Sequence, residues 1–370
     1  MKIELARPNI TQAEIDAVVS VLQTPHLSLG PKLIEFEARF AALCGTAHAV
    51  AVSSGTAALH LCMSALGVGP GDEVITTPFS FIASANCACF DGGRPVFVDI
   101  DAETWNLDGG RIESAITERT KVILPVHVFG QTCPVPDILE IADRHDLPVI
   151  EDACEALGGT YDDRPAGSMG RAGVFAFYPN KQITTGEGGM IVTDDAELAG
   201  VARSLRNQGR DPDVPGWLSH PRFGYNYRIA EINCALGIAQ VDRLDEILTA
   251  RRRVVDLYHD RLAGDKRIVL QQVAPGVRMS PFVFVIRLRD DYTREDRDRI
   301  LDALRERGIG CSNYFTPIHL QPPYRERFGH AEGDFPVCEA LAARTVALPF
   351  HHALTEDDVA TVCDALTELL

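Results

Sequence analysis

One pattern limits this chain more than any other: an alternation that runs from about residue 48 to residue 194. "HAVAVSS" reads as a short strand and "GTAALHLCMSALG" as a helix. "DEVITTP", "PVFVDI", "KVILPVHV" and "LPVIED" read as further strands. Between them "FIASANCACFDGG", "GRIESAITER" and "VPDILEIADRHD" read as helices. "VFAFY" and "GGMIVTD" add two more strands. Short apolar strands separated by helices predict an α/β fold: a mostly parallel central sheet with helices on both faces. Ahead of it, "TQAE" at 11–14 reads as a capping box, and Ile15, Val18, Val19 and Leu22 fall on one face of the helix that follows. Pro31 and Gly45 bracket a second helix. A long helical stretch from Ile229 to Leu262 comes after the alternation, then a strand-like "SPFVFVIRL" and two amphipathic helices. The division expected is a large domain over 1–245 and a small α+β domain over 246–370. The N-terminal segment is a candidate to pack on the small domain.

Composition narrows the function. The net charge is 35 − 52 = −17, which argues against a nucleic-acid backbone or an anionic membrane as partner. Ten cysteines are scattered without a CxxC, and no Cys/His cluster has metal spacing. A reducing cytoplasm is the expectation, and the polar start "MKIELARPNITQAEID" is unlike a signal peptide. The uncharged stretches 49–71 and 74–90 are broken by Gly, Pro, Ser and Thr, so they read as core, not as membrane spans.

Ligands of parallel α/β sheets sit at the carboxyl ends of strands. Three such ends carry candidate chemistry. In "AVSSGTAALHL", Gly55 and Thr56 open a helix: either an anion seat suited to phosphate, or a plain turn with a threonine cap. In "LPVIEDACEALGG", Glu151 and Asp152 close an apolar strand: either one of them meets a cationic ligand, or both cap the next helix. In "FYPNKQITTGEGG", Lys181 stands in a run almost free of charge, where a lysine can form a Schiff base with a carbonyl. A phosphate seat, a strand-end aspartate and a later lysine together match the needs of pyridoxal 5'-phosphate.

Seven segments in order, "SSGTAAL", "PFSFIASAN", "PVHVFGQ", "EDACEALGG", "FAFYPNKQITTGEGG", "YNYRIAEINCALGIAQ" and "TPIHLQPPY", resemble the DegT/DnrJ/EryC1/StrS family of sugar aminotransferases. The resemblance spans nearly the whole chain and implies the pyridoxal-phosphate fold type I, like aspartate aminotransferase. It implies that Lys181 carries the cofactor as an aldimine and that Asp152 pairs with the pyridine nitrogen. It also implies that Phe81 stacks on the ring and that Gly55 and Thr56 bind phosphate. Asn226 would reach the cofactor phosphate of a neighbouring subunit, in a homodimer with sites at the interface.

Two positions depart from the family pattern. Ala176 stands where a serine usually touches the phosphate, and Asn180 or a water is the candidate replacement. Glu155 stands where Gln or His is common near the ring's phenolic oxygen; it is protonated, turned away, or facing substrate. Tyr314 and His319 lie in a motif that approaches the site from the small domain. His127 is either a pocket residue or a satisfied core histidine, and Arg228 either meets an anionic substrate or pairs with acids. The aromatics of "SPFVFVIRL" read as core. The function implied is transfer of an amino group, with L-glutamate as donor, to a nucleotide-linked keto-sugar by ping-pong half-reactions, in amino-sugar or polysaccharide biosynthesis. A cyclitol aminotransferase and a non-catalytic regulator that binds the same cofactor are the alternatives.

Overall fold

The computed structural model describes residues 2–211, 214, 215 and 219–370. The Gly- and Pro-containing segment 207–224 lies partly outside the described residues: 212, 213 and 216–218 are not covered. The alternating region forms β1 (His48–Val52), β2 (Glu73–Thr76), β3 (Arg94–Phe97), β4 (Thr120–Ile123) and β5 (Ile150–Asp152). Two-residue strands β6 (Thr160–Tyr161) and β7 (Arg164–Pro165) follow, then β8 (Ala172–Ala176) and β9 (Gly189–Thr193). β3, β2 and β4 pair in parallel. Parallel bridges Ile123–Val149 and Val126–Asp152 join β4 to the β5 segment. β5 and β8 are parallel, and β9 runs antiparallel to both β8 and β1. The sheet is thus mostly parallel, with one reversed strand.

Both faces of the sheet are buried, and the strand period of two divides the side chains between them. In β1, Ala49 and Ala51 join one core with Phe36 and Phe40, while Val50 and Val52 join another with Leu59 and Leu61. α1 (Gln12–Leu22) and α2 (Pro31–Cys44) pack on the helix Glu231–Asp242. α2 ends at Gly45, whose left-handed φ of 70° suits glycine. Its start is held from far away: the buried Glu231 carboxylate accepts the N–H groups of Gly30, Lys32 and Leu33. A further core lies beyond, built on β10 (Ile268–Leu270), β12 (Phe284–Leu288) and β13 (Thr345–Leu348), with Ile3 from the N-terminal segment in it. The short β11 (Val277–Arg278) pairs with β6. The helix Leu244–Leu262 serves both cores: Leu244, Ile247 and Leu248 in one, Val254, Tyr258 and Leu262 in the other.

Three expectations need correction. The stretch from Ile229 to Leu262 is two helices, not one. It breaks at Arg243, whose backbone (φ −108°, ψ 10°) leaves the helical range while its guanidinium binds Glu14 and Glu246. "GRIESAITER" yields only a 3₁₀ turn and one α-turn, Ile112–Ala115, because Thr117 already bonds into the turn that opens β4. In α1, Ile15, Val19 and Leu22 are exposed, and the buried side is Glu14 and Val21. Burial alone would raise the Glu14 pKa. Hydrogen bonds from Thr11, Gln240 and Arg243 outweigh it and hold that carboxyl at about 2.

Candidate active site

β1, β5 and β8 run in the same direction, so their carboxyl ends meet at one edge of the sheet. A cavity of about 700 Å³ opens there. β1 leads into α3 (Gly55–Ala65), and Ser54, Gly55 and Thr56 line the cavity. Ser54 is the cap: its Oγ accepts the Ala57 N–H at 3.1 Å. The threonine-cap reading therefore fails, since Thr56 sits inside the first turn. A Cβ at position 55 would lie 2.7 Å from the Ala176 Cβ and 3.1 Å from the Cys154 Sγ, so only glycine lets α3 start this close to β8.

Asp152, the last residue of β5, is 4% exposed and lines the same cavity. The Ser84 hydroxyl donates to its Oδ2 at 2.7 Å, and the Cys154 N–H to its Oδ1 at 3.2 Å. Glu151 faces elsewhere. It accepts the N–H groups of Gly167, Met169 and Gly170 at 2.7–2.9 Å and pairs with His127 Nε2 at 2.9 Å. Burial pushes the Glu151 pKa up, but His127 and these N–H groups win and hold it below the usual carboxylate range. His127 Nδ1 accepts the Cys133 N–H, so Nε2 carries the hydrogen given to Glu151. His127 is fully buried and does not line the cavity: it is a satisfied core histidine, and the pocket reading is corrected.

Lys181 lines the same cavity. Its Nζ lies 3.5 Å from Glu155 Oε1 and 4.1 Å from the centroid of the Phe282 ring. Glu155 is not turned away. Its Oε2 accepts the Phe129 N–H at 2.9 Å and its other oxygen faces Lys181. Burial raises its pKa above the ordinary value, and the Lys181 charge and the Phe129 N–H offset this only in part. Asn180 also lines the cavity, with a buried Oδ1 that has no hydrogen-bond partner. Phe81, 61% exposed, and Tyr314 complete the set of expected residues that the fold brings together.

Three others stand apart. Asn226 is exposed and outside this chain's own cavity. Arg228 donates to Asn207 Oδ1 at 3.0 Å, so it does not line the cavity, nor does it pair with an acid there. His319 is fully buried against Glu339 and is not a lining residue, although its neighbours Ile318 and Gln321 are. Sequence reasoning missed Ser84 and Phe282. Ser84 lies three residues after Phe81, close to one helical turn, so spacing in "PFSFIASAN" held that signal. Phe282 is a core residue, as expected, yet also lines the cavity.

The fold and this cavity define a pyridoxal-phosphate-dependent aminotransferase of fold type I. The model of the DegT/DnrJ/EryC1/StrS aminotransferase family matches residues 8–367, and the chain belongs to that family. It is 43% identical over 371 residues to the GDP-perosamine synthase of Caulobacter vibrioides, covering 100% of this chain and 98% of that protein. The pyridoxal-phosphate form of Spr1654 from Streptococcus pneumoniae superposes with a TM-score of 0.94 at 30% identity, covering all of both chains. Helicobacter pylori PseC, an aminotransferase involved in the biosynthesis of pseudoaminic acid, gives 0.93 at 27% identity, covering 100% of this chain and 99% of that one.

Proposed function

We propose that the chain transfers an amino group from L-glutamate to the ketone of a nucleotide-linked sugar, with Lys181 and Asp152 as its catalytic residues. The carrying observation is that these two side chains line one cavity with the N-terminus of α3. The residues fit the cofactor. The first N–H groups of α3 and the Thr56 hydroxyl offer an anion seat for phosphate. Gly55 lets that helix start close against Ala176 and Cys154. Asp152, oriented by Ser84, offers a carboxylate to a pyridine N–H. The unpartnered Asn180 Oδ1 is a polar group that a ligand would satisfy.

Pyridoxal phosphate, when bound, supplies an electron sink that eases proton loss from the donor's α-carbon. Lys181 Nζ, as a free amine, takes that proton and returns it, acting as general base. Asp152 would hold a proton on the ring nitrogen. Phe81, which lines the cavity, would stack on the ring. The sugar acceptor is supported by 43% identity over the whole chain with a protein named for a GDP-linked product. A homodimer is supported by apolar side chains exposed on α1, α2 and the segment between them, among them Ile15, Leu22, Leu27 and Ile34. In it Asn226 would reach the cofactor phosphate of the neighbouring subunit. All ten cysteines are free, which suits a cytoplasmic enzyme.

The test is direct. Holoenzyme mixed with L-glutamate should release 2-oxoglutarate and convert the cofactor stoichiometrically. Nucleoside-diphosphate keto-sugars should then be aminated, as read by mass. No release of keto acid would leave only an inert binder, and preference for a free cyclitol ketone would move the acceptor class. A separate expectation concerns Ala176. Ala176→Ser should tighten cofactor binding about tenfold, the worth of one hydrogen bond to an anion. Equilibrium dialysis measures this; equal affinities would mean that Asn180 or a water already serves the phosphate.

A further inference from the structure

We propose that Glu155 and Phe282 form a seat for the free ammonium of Lys181, and that Arg251 fixes the ring side of that seat from behind. The inference rests on the reading of Lys181 as the cofactor-bonding residue. A lysine that alternates between a bond to the cofactor and a free amine needs a defined place for the free state, because its four-carbon stem is flexible. Here the amine lies 3.5 Å from a carboxylate oxygen and 4.1 Å from a ring centroid. The carboxylate favours the ammonium by charge, and the ring favours it through its negative face.

Both walls are rigid. The Phe129 N–H ties down Glu155 Oε2 and leaves Oε1 for the amine. Phe282 is 2% exposed. Arg251, itself buried, donates through Nη2 to the Phe282 carbonyl at 2.6 Å and through Nε to the Pro281 carbonyl at 2.8 Å. A buried guanidinium that bonds two consecutive carbonyls fixes the segment carrying the ring. The other ionisable groups lining the cavity are Asp152 and Cys154 at the end of β5, Tyr178 and Glu187 on either side of the lysine, and Tyr314. Of the cavity's acids, Glu155 is the one that pairs with Nζ. Removing its charge takes one support from the ammonium and leaves the Phe282 ring to act against burial, which favours the neutral amine.

The test reads capture of added pyridoxal phosphate by the full-length chain stripped of cofactor. Capture needs a neutral amine, so its rate rises with pH. Glu155→Gln should lower the midpoint of that rise by about one pH unit. Phe282→Leu should lower it by about half a unit. An unmoved midpoint in Glu155→Gln overturns the seat, and an unmoved or higher one in Phe282→Leu overturns the part given to the ring. The isosteric Gln variant decides alone if the Leu variant fails to fold. Lys181→Ala separates this inference from the functional reading. Covalent capture that persists in Lys181→Ala sinks the reading of Lys181; capture lost there, with the midpoint unchanged in Glu155→Gln, sinks only the seat.

Discussion

Lys181→Ala is expected to end turnover, with a loss of about 10,000-fold or more. The expectation follows from position. The other four lysines, at 2, 32, 121 and 266, do not line the cavity, so no second amine stands ready to replace it. Two functions leave together: the covalent hold on the cofactor and the base that moves the donor's proton. The fold should survive, because the lost side chain lines the cavity and touches only Glu155 and the Phe282 ring there. Borohydride reduction of the wild type should leave the cofactor's mass on the peptide containing Lys181, and on no peptide of the variant. Full activity in the variant would overturn the assignment.

How far the sequence reached depended on whether a feature is local. The alternation was readable because most strand residues of the sheet are buried, which gives short apolar runs. The strand ends were readable because Gly55, Asp152 and Lys181 lie at the close of such runs. Which acid of Glu151–Asp152 enters the cavity was not readable. Period two sends them to opposite faces, and only the partners decide: three backbone N–H groups and His127 for one, Ser84 and the cavity for the other. Long-range ties stayed hidden for the same reason. Arg243 breaks a helix while bound to Glu14, 229 residues away in the chain, and Glu231 caps a helix that begins about 200 residues earlier. Phe282 escaped because one ring both packs in a core and walls a cavity, and no periodicity separates those roles.

Asp152→Asn carries the second large effect, and its neighbour supplies the control. Asparagine keeps the volume and can still accept from Ser84, but it brings no charge to hold a proton on the ring nitrogen. Leaving a buried cation without its anion costs about 3–5 kcal/mol, so turnover should fall by about three orders of magnitude. Thermal stability should barely change. Glu151→Gln should do the reverse. Its carboxylate serves four donors away from the cavity, so stability should fall by about 3 kcal/mol while turnover per folded molecule is kept. The sign with pH also differs. The folded pKa of Glu151 lies below its ordinary value, so its contribution is present above the unfolded pKa and is lost as pH falls through the folded one. Glu151→Gln should therefore flatten the acid side of the stability curve. Urea melts across a pH series, run beside turnover assays, read both halves. If Asp152→Asn lost stability and kept turnover, Asp152 would be a helix-capping acid and the assignment of the ring nitrogen to it would fall.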